Sequence, residues 1–274
     1  MRHKLEELEN KCREIKYKAL EMCVQAGTGH VTSAFSCAEI VTVLYYELMN
    51  IDRKNPTWDN RDRFVMSKNH ASVILYPVFA DFGWIEESSL NSFLANGSML
   101  GSHSKMEVPG VDFSGGSLGI GLGVACGFAY AAKSSNEKWM TYAVVGDGEC
   151  YEGAIWESAM FAAHNKLSNL VVFLDRNGLC VTDYTEKMLI EEPFADKWTS
   201  FGWHVKRVHG HDIRALCDMA QEAISDNKEN KPICIICDTH KGHGIAFMED
   251  KLFMHGVAPK GEWAEKALHQ VRRG

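Results

Sequence analysis

The sequence predicts an α/β protein with a mostly parallel sheet covered by helices on both faces. Three observations predict it. The apolar runs "LVVFL" (170–174) and "ICIIC" (233–237) show no polar alternation, as expected of strands buried on both sides. From residue 141 onward, strand-like and helix-like segments alternate. Two short motifs that carry acid and amide side chains fall where strands end, which is where ligands bind in such folds.

Taken in order, Leu5, Leu8, Cys12, Ile15, Ala19, Met22 and Cys23 recur at helical spacing, so the first element is an amphipathic helix ending near Gly27. "AEIVTVLYYELM" (38–49) reads as a second helix and "RDRFVMS" (61–67) as a short strand. "ASVILYPVFADFG" (71–83), "EESSLNSFLAN" (86–96) and "LGVACGFAYAAK" (122–133) read as helices separated by glycine and serine loops. The alternation then runs through the strand "TYAVVGD" (141–147), the helix "GAIWESAMFAAHN" (153–165), and the strand "LVVFLDR" (170–176) followed by a loop. It continues with the strand "WHVKRV" (203–208), the helix "DIRALCDMAQEAI" (212–224) and the strand "ICIICDT" (233–239). Without repeats, low-complexity runs or a proline-rich linker, residues 1–274 read as a single domain.

Composition excludes some partners. With 29 basic and 36 acidic residues the net charge is -7, which argues against nucleic acid or an anionic membrane as partner. No apolar run approaches the ~20 residues of a membrane span. The N-terminal stretch is charged and helix-patterned, unlike a signal peptide. Nine scattered cysteines fit a reducing cytosol, so the expected location is cytoplasmic. Cys234 and Cys237 form a C-x-x-C, but within an apolar run they read as small hydrophobes on a buried strand.

The strand ends carry the chemistry. "VVGDGECYEG" (144–153) sets Asp147 between two glycines before a helix, and "VVFLDRNGLC" (171–180) sets Asn177 thirty residues after it. One strand-helix-strand unit between them puts both on neighbouring parallel strands, where a carboxylate and an amide oxygen can share one ion. Such hard donors suit Mg²⁺ or Ca²⁺ with coordination positions left for phosphate oxygens. Glycines beside Asp147, including Gly148, let backbone approach an anion, and the following helix aims its N-terminus there. Either stretch alone is also ordinary turn chemistry.

Together they resemble the thiamine diphosphate signature, in which the Asp, the Asn and a backbone carbonyl two residues beyond it hold the metal. The resemblance implies Asp147, Asn177 and Leu179 as metal ligands. Further stretches are similar to the transketolase family, over residues 25 to 260. "GTGHVTSAFSCAEI" implies a substrate-reaching His30 with Ser33 beside it. "NRDRFVMSKNHASVILY" implies a cofactor-facing His70. "GSHSKMEVPGVDFSGGSLGIGLG" implies a donor-contacting His103, then cofactor contacts at Gly116, Ser117 and Leu118. "KGHGIAFMEDKLFMHG" implies Lys241 and His255 near the diphosphate, and Glu152 matches a glutamate at the family's dimer interface. The family often has Gly-His-Pro where this chain has Gly-Ser-His-Ser (101–104), and Gly-Gln-Gly where it has Gly119-Ile120-Gly121.

The resemblance implies ketol transfer from a ketose, or ketose phosphate, to an aldose, with His30, His103 and His255 handling protons and hydroxyl contacts. Other thiamine diphosphate enzymes share the Asp and Asn signature, among them deoxyxylulose phosphate synthases and the α subunits of 2-oxoacid dehydrogenases or decarboxylases. A non-catalytic assembly subunit is a further alternative. The chain resembles only the first domain of a full transketolase. It is therefore expected to be the N-terminal subunit of a split enzyme, joined to a separate C-terminal subunit with two copies of each.

Overall fold

The computed structural model describes residues 1–273. Its five strands are β1 (Arg63–Met66), β2 (Thr141–Gly146), β3 (Leu170–Arg176), β4 (His204–His209) and β5 (Ile233–Asp238). They form one sheet in the order β1-β2-β3-β5-β4, and every neighbouring pair is parallel. The mostly parallel sheet expected from the sequence is thus wholly parallel among these strands.

The helices are α1 (Leu5–Ala26), α2 (Val31–Ser36), α3 (Ala38–Val43), α4 (Leu75–Asp81), α5 (Ile120–Ser134), α6 (Gly153–His164), α7 (Thr185–Met188), α8 (Phe194–Ser200), α9 (Ile213–Ser225) and α10 (Glu262–Arg273). Side chains alternate along each strand, so each strand feeds two cores. Val144, Val171, Phe173, Ile233 and Ile235 point to a core shared with α1, α3, α4 and α9. Val145, Val172, Leu174, Cys234 and Ile236 point to the opposite core, with α5, α6 and α8. Burying strands on both faces is why their sequences are apolar without a break. Cys234 and Cys237 are buried on β5 as free thiols.

The first helix stops where expected. Gly27 takes a left-handed φ of 70° as its C-cap, and its N–H bonds to the Val24 carbonyl. Three segments read as helices differ from the expectation, and the loop expected after β3 carries the short α7 and α8. The segment 71–83 opens as a 3₁₀ turn at Asn69–Ile74 before α4. Residues 38–49 start as α3 but continue as a π-helical turn over Leu44–Leu48, a widening that apolar spacing does not reveal. Residues 86–96 give only a 3₁₀ turn at Glu87–Ser92, followed by Leu94 at a left-handed φ of 61°; a serine-rich segment of few apolar residues gains too little burial to hold an α-helix. Among the described residues, no helix is long and apolar enough to cross a membrane.

Candidate active site

The carboxyl ends of β1, β2, β3 and β5 open on one cleft of about 200 Å³. Asp147 follows β2 and Asn177 follows β3, and these two strands pair directly, with Gly146 opposite Asp175. The Asp147 backbone N–H extends this pairing by donating to the Asp175 carbonyl at 3.2 Å. Its carboxylate accepts from the Gly148 N–H at 2.8 Å and the Gly178 N–H at 2.6 Å, so backbone on both strand ends aims it. The Arg176 guanidinium stands 3.4 Å away. Burial, aided by the nearby Asp175 carboxylate, pushes the Asp147 carboxyl up to about 6. A cation in the cleft would relieve that penalty.

Asn177 is oriented from both ends of its amide. Its Nδ2 donates to Asp175 at 3.2 Å, while its Oδ1 accepts from the Leu179 N–H at 3.1 Å. Asp175 itself is sealed beneath the cleft and accepts from Lys68, Thr239 and, at 2.6 Å, Ser36. Lys68 also donates to the Ser33 carbonyl at 3.0 Å and the Ser36 hydroxyl at 3.1 Å. Burial alone would lower the Lys68 ammonium, but Asp175 more than reverses this and holds it up at about 12. A second buried lysine, Lys241, contacts Nδ1 of His255 at 2.9 Å. Burial and the charge of Lys68 bring Lys241 down to about 8.

One more acid supports the cleft floor. Glu149 accepts from the Ser67 hydroxyl at 2.5 Å, the Gly119 N–H at 2.9 Å and the Gly146 N–H at 3.0 Å. It therefore clamps the start of α5 to the ends of β1 and β2. Gly119 adopts a left-handed φ of 86°, and a Cβ there would lie 2.6 Å from the Glu152 Cβ, so this junction demands glycine.

Four imidazoles gather beside the cleft. The His30 ring centre lies 5.2 Å from His70, 5.2 Å from His255 and 6.4 Å from His103, and His70 lies 5.4 Å from His255. Burial lowers all four, aided at His30, His70 and His255 by the neighbouring lysines and rings, with His255 brought down to about 3. They are neutral near pH 7, each carrying one N–H and one lone pair, and at His255 Nδ1 is already engaged by Lys241.

Ser33, His70, Leu118, Asp147, Gly148, Asn177, Leu179, Lys241 and His255 line the cleft. His30 and His103 belong to the imidazole cluster next to it. Gly116 and Ser117 are exposed and line no part of the cleft, and Glu152 is exposed where it packs against Gly119. Lys68, Asp175 and Glu149 are not among the residues expected from the sequence. For Asp175 a signal existed, since an acid inside a strand buried on both faces requires a cation or donors nearby.

The Asp147 and Asn177 oxygens fit a hard divalent cation, and the two lysines fit an anion bound to it. Ser33 Oγ is buried at the cleft without a hydrogen-bond partner, a polar atom that a bound phosphate would satisfy.

Comparison with known proteins agrees with this geometry. Residues 8–271 match the family model described as the transketolase, thiamine diphosphate binding domain. A 6-deoxy-6-sulfo-D-fructose transketolase subunit from Clostridium sp. (strain MSTE9) is 36% identical over 268 residues, covering 97% of each chain. An apulose-4-phosphate transketolase subunit from Actinobacillus succinogenes is 38% identical, covering 97% of this chain and 96% of its own. The crystal structure of transketolase from Campylobacter jejuni superposes with a TM-score of 0.91 at 28% identity, covering 98% of this chain but 43% of that one. The chain thus spans less than half the length of that solved relative.

Proposed function

This chain belongs to the transketolase family, in its thiamine diphosphate-binding domain, and from that premise we propose that it is the diphosphate-holding subunit of a two-subunit transketolase. The observation that carries this reading is the pairing of Asp147 and Asn177 on adjacent strand ends, facing two buried lysines and flanked by four neutral imidazoles. Two relatives of nearly the same length are named as transketolase subunits, which supports a separate C-terminal subunit as partner. We assign the assembly two copies of each subunit and a cytoplasmic location, in keeping with nine free cysteines among the described residues.

Asp147 and Asn177 would hold Mg²⁺ together with the Leu179 carbonyl, while Lys241 and Ser33 meet the diphosphate; Ca²⁺ would suit the same oxygens. Gly148 gives backbone access there. Leu118 and His70 bound the cofactor's side of the cleft, and Gly116, Ser117 and Glu152 lie toward the face where a second protein would close over it. Bound thiamine diphosphate supplies the carbanion and electron-sink chemistry of two-carbon transfer. This chain's residues orient the sugar and move protons: His30, His103 and His255 offer uncharged N–H groups and lone pairs to ketose and aldose hydroxyls. Neutrality matters, because an imidazole uncharged near pH 7 but titrating close below it can accept a proton and then return it, a role that suits His30 and His103, while His255, held down at about 3, serves hydroxyl contacts.

Co-expression with a separate C-terminal subunit tests the reading. Two-carbon transfer from a ketose donor is expected from the complex and absent from this chain alone. A donor screen should include pentose phosphates and the branched and sulfonated sugars after which the relatives are named. Robust transfer by the purified chain without a partner would overturn the two-subunit reading, and turnover of pyruvate in place of ketoses would overturn the transketolase reading.

A further inference from the structure

An imidazole that must present one chosen nitrogen has to be tied by the other, since the ring is otherwise free to flip. At His30 the tie is Ser102, whose Oγ lies 3.2 Å from Nδ1. No other hydrogen bond to the His30 ring is present among the described residues. Ser102 is itself braced on both sides. Tyr76 donates its hydroxyl to the Gly101 carbonyl at 2.7 Å, and the Ser104 N–H donates to Asn69 Oδ1 at 2.7 Å. Asn69 directly precedes His70, so one set of bonds fixes both the Ser102 loop and the turn bearing a second imidazole of the cluster. On the far side of the ring, Gly256 lies beside Nε2. A Cβ there would come within 3.4 Å of Nε2, and the glycine φ of +69° disfavours any side chain.

We propose that Ser102 is a positioning residue for His30, tying Nδ1 so that Nε2 is the nitrogen offered to the sugar. The sugar part of this statement rests on the transketolase reading; the tie itself does not. Because burial and the neighbouring His103 and Lys241 hold His30 below its ordinary titration range, the ring is neutral; the Ser102 hydroxyl can pair with Nδ1 in either tautomer, so the tie fixes the ring's orientation and leaves Nε2 to donate or accept as the sugar requires. Loop 101–104 thereby sets both His103, which it carries, and the face of His30, so donor recognition and proton handling are joined in one segment.

The test separates the tie from the function. In ¹⁵N-histidine NMR of this chain alone, with His30 assigned by the signal lost in His30→Gln, the ring is expected to be neutral with its Nδ1 signal displaced by a hydrogen bond. Ser102→Ala should move the Nδ1 signal toward that of an unbonded ring nitrogen, and Ser102→Thr, which keeps the hydroxyl, should restore it. In the complex with its C-terminal subunit, Ser102→Ala should lower kcat about fivefold to tenfold, the range of one lost hydrogen bond, while Ser102→Thr recovers it. Thiamine diphosphate affinity should be unchanged in both. Unchanged His30 signals in Ser102→Ala, or a threonine variant no better than alanine, would overturn the proposal. If the unaltered complex transfers no two-carbon unit, the transketolase reading falls while the NMR arms still decide the tie.

Discussion

The Lys68 ammonium is locked against the Asp175 carboxylate with only 3% and 0% of the two side chains exposed. The pair underlies Asn177, because the same Asp175 carboxylate accepts from the Asn177 amide. Breaking it from one side strands a buried charge. Lys68→Met is expected to cost about 3–5 kcal/mol in urea unfolding, and adding Asp175→Leu should recover much of that loss. A single-variant loss below ~1 kcal/mol would show that the ion pair is not what holds the cleft floor.

Asp147→Ala removes the proposed ion ligand and also the acceptor for two backbone N–H groups. Calorimetry on the assembled complex should show Mg²⁺-thiamine diphosphate affinity reduced by at least about 100-fold, beyond the range of outer-shell changes. Asp147→Asn, which preserves most of the shape, should lose nearly as much. Unaltered affinity in both would remove Asp147 from the site.

Lys241 gives a pH signature. Its folded amine loses its proton near pH 8, against an ordinary value of 10.5, so between those values the unfolded chain holds more protons. The associated stability is fully present above 10.5, declines as pH falls and is lost below about 8. Acylation of Lys241, followed by peptide mass mapping, should therefore rise with a midpoint near pH 8. Bound diphosphate favours the ammonium, so Mg²⁺-thiamine diphosphate should move that midpoint upward; a downward move would contradict an anion beside Lys241.

Glu149→Ala leaves three buried donors without an acceptor, those of Ser67, Gly119 and Gly146. A loss of roughly 3 kcal/mol is expected in denaturant unfolding. Hydrogen exchange should be faster at Gly119 and Gly146 than in α9, which lies on the opposite face of the sheet.

Much of the site was legible because it sits at strand ends, where a few glycines and one acid or amide make a local pattern. Asp147 and Asn177 needed only the strand-helix-strand spacing between them. Lys68 was not legible. In "SKNH" it reads as an exposed loop cation, and its burial depends on Asp175, which lies far along the chain. Ser102 was hidden for the same reason, since its partner His30 precedes it by a whole helical layer. The helix expected at 86–96 was lost to local serine bonding and a left-handed Leu94, effects below the resolution of apolar periodicity.

The strand order carries a consequence for how the molecule is made. β5 inserts between β3 and β4, pairing Val171 with Ile233, and the cleft needs residues from Ser33 through His255. Contacts so distant in sequence slow folding. On the ribosome the strand ends bearing Asp147 and Asn177 emerge well before the segment carrying Lys241 and His255. The nascent protein therefore exposes an unfinished edge of β3 until β5 arrives, and in that interval it is most in need of a chaperone's protection.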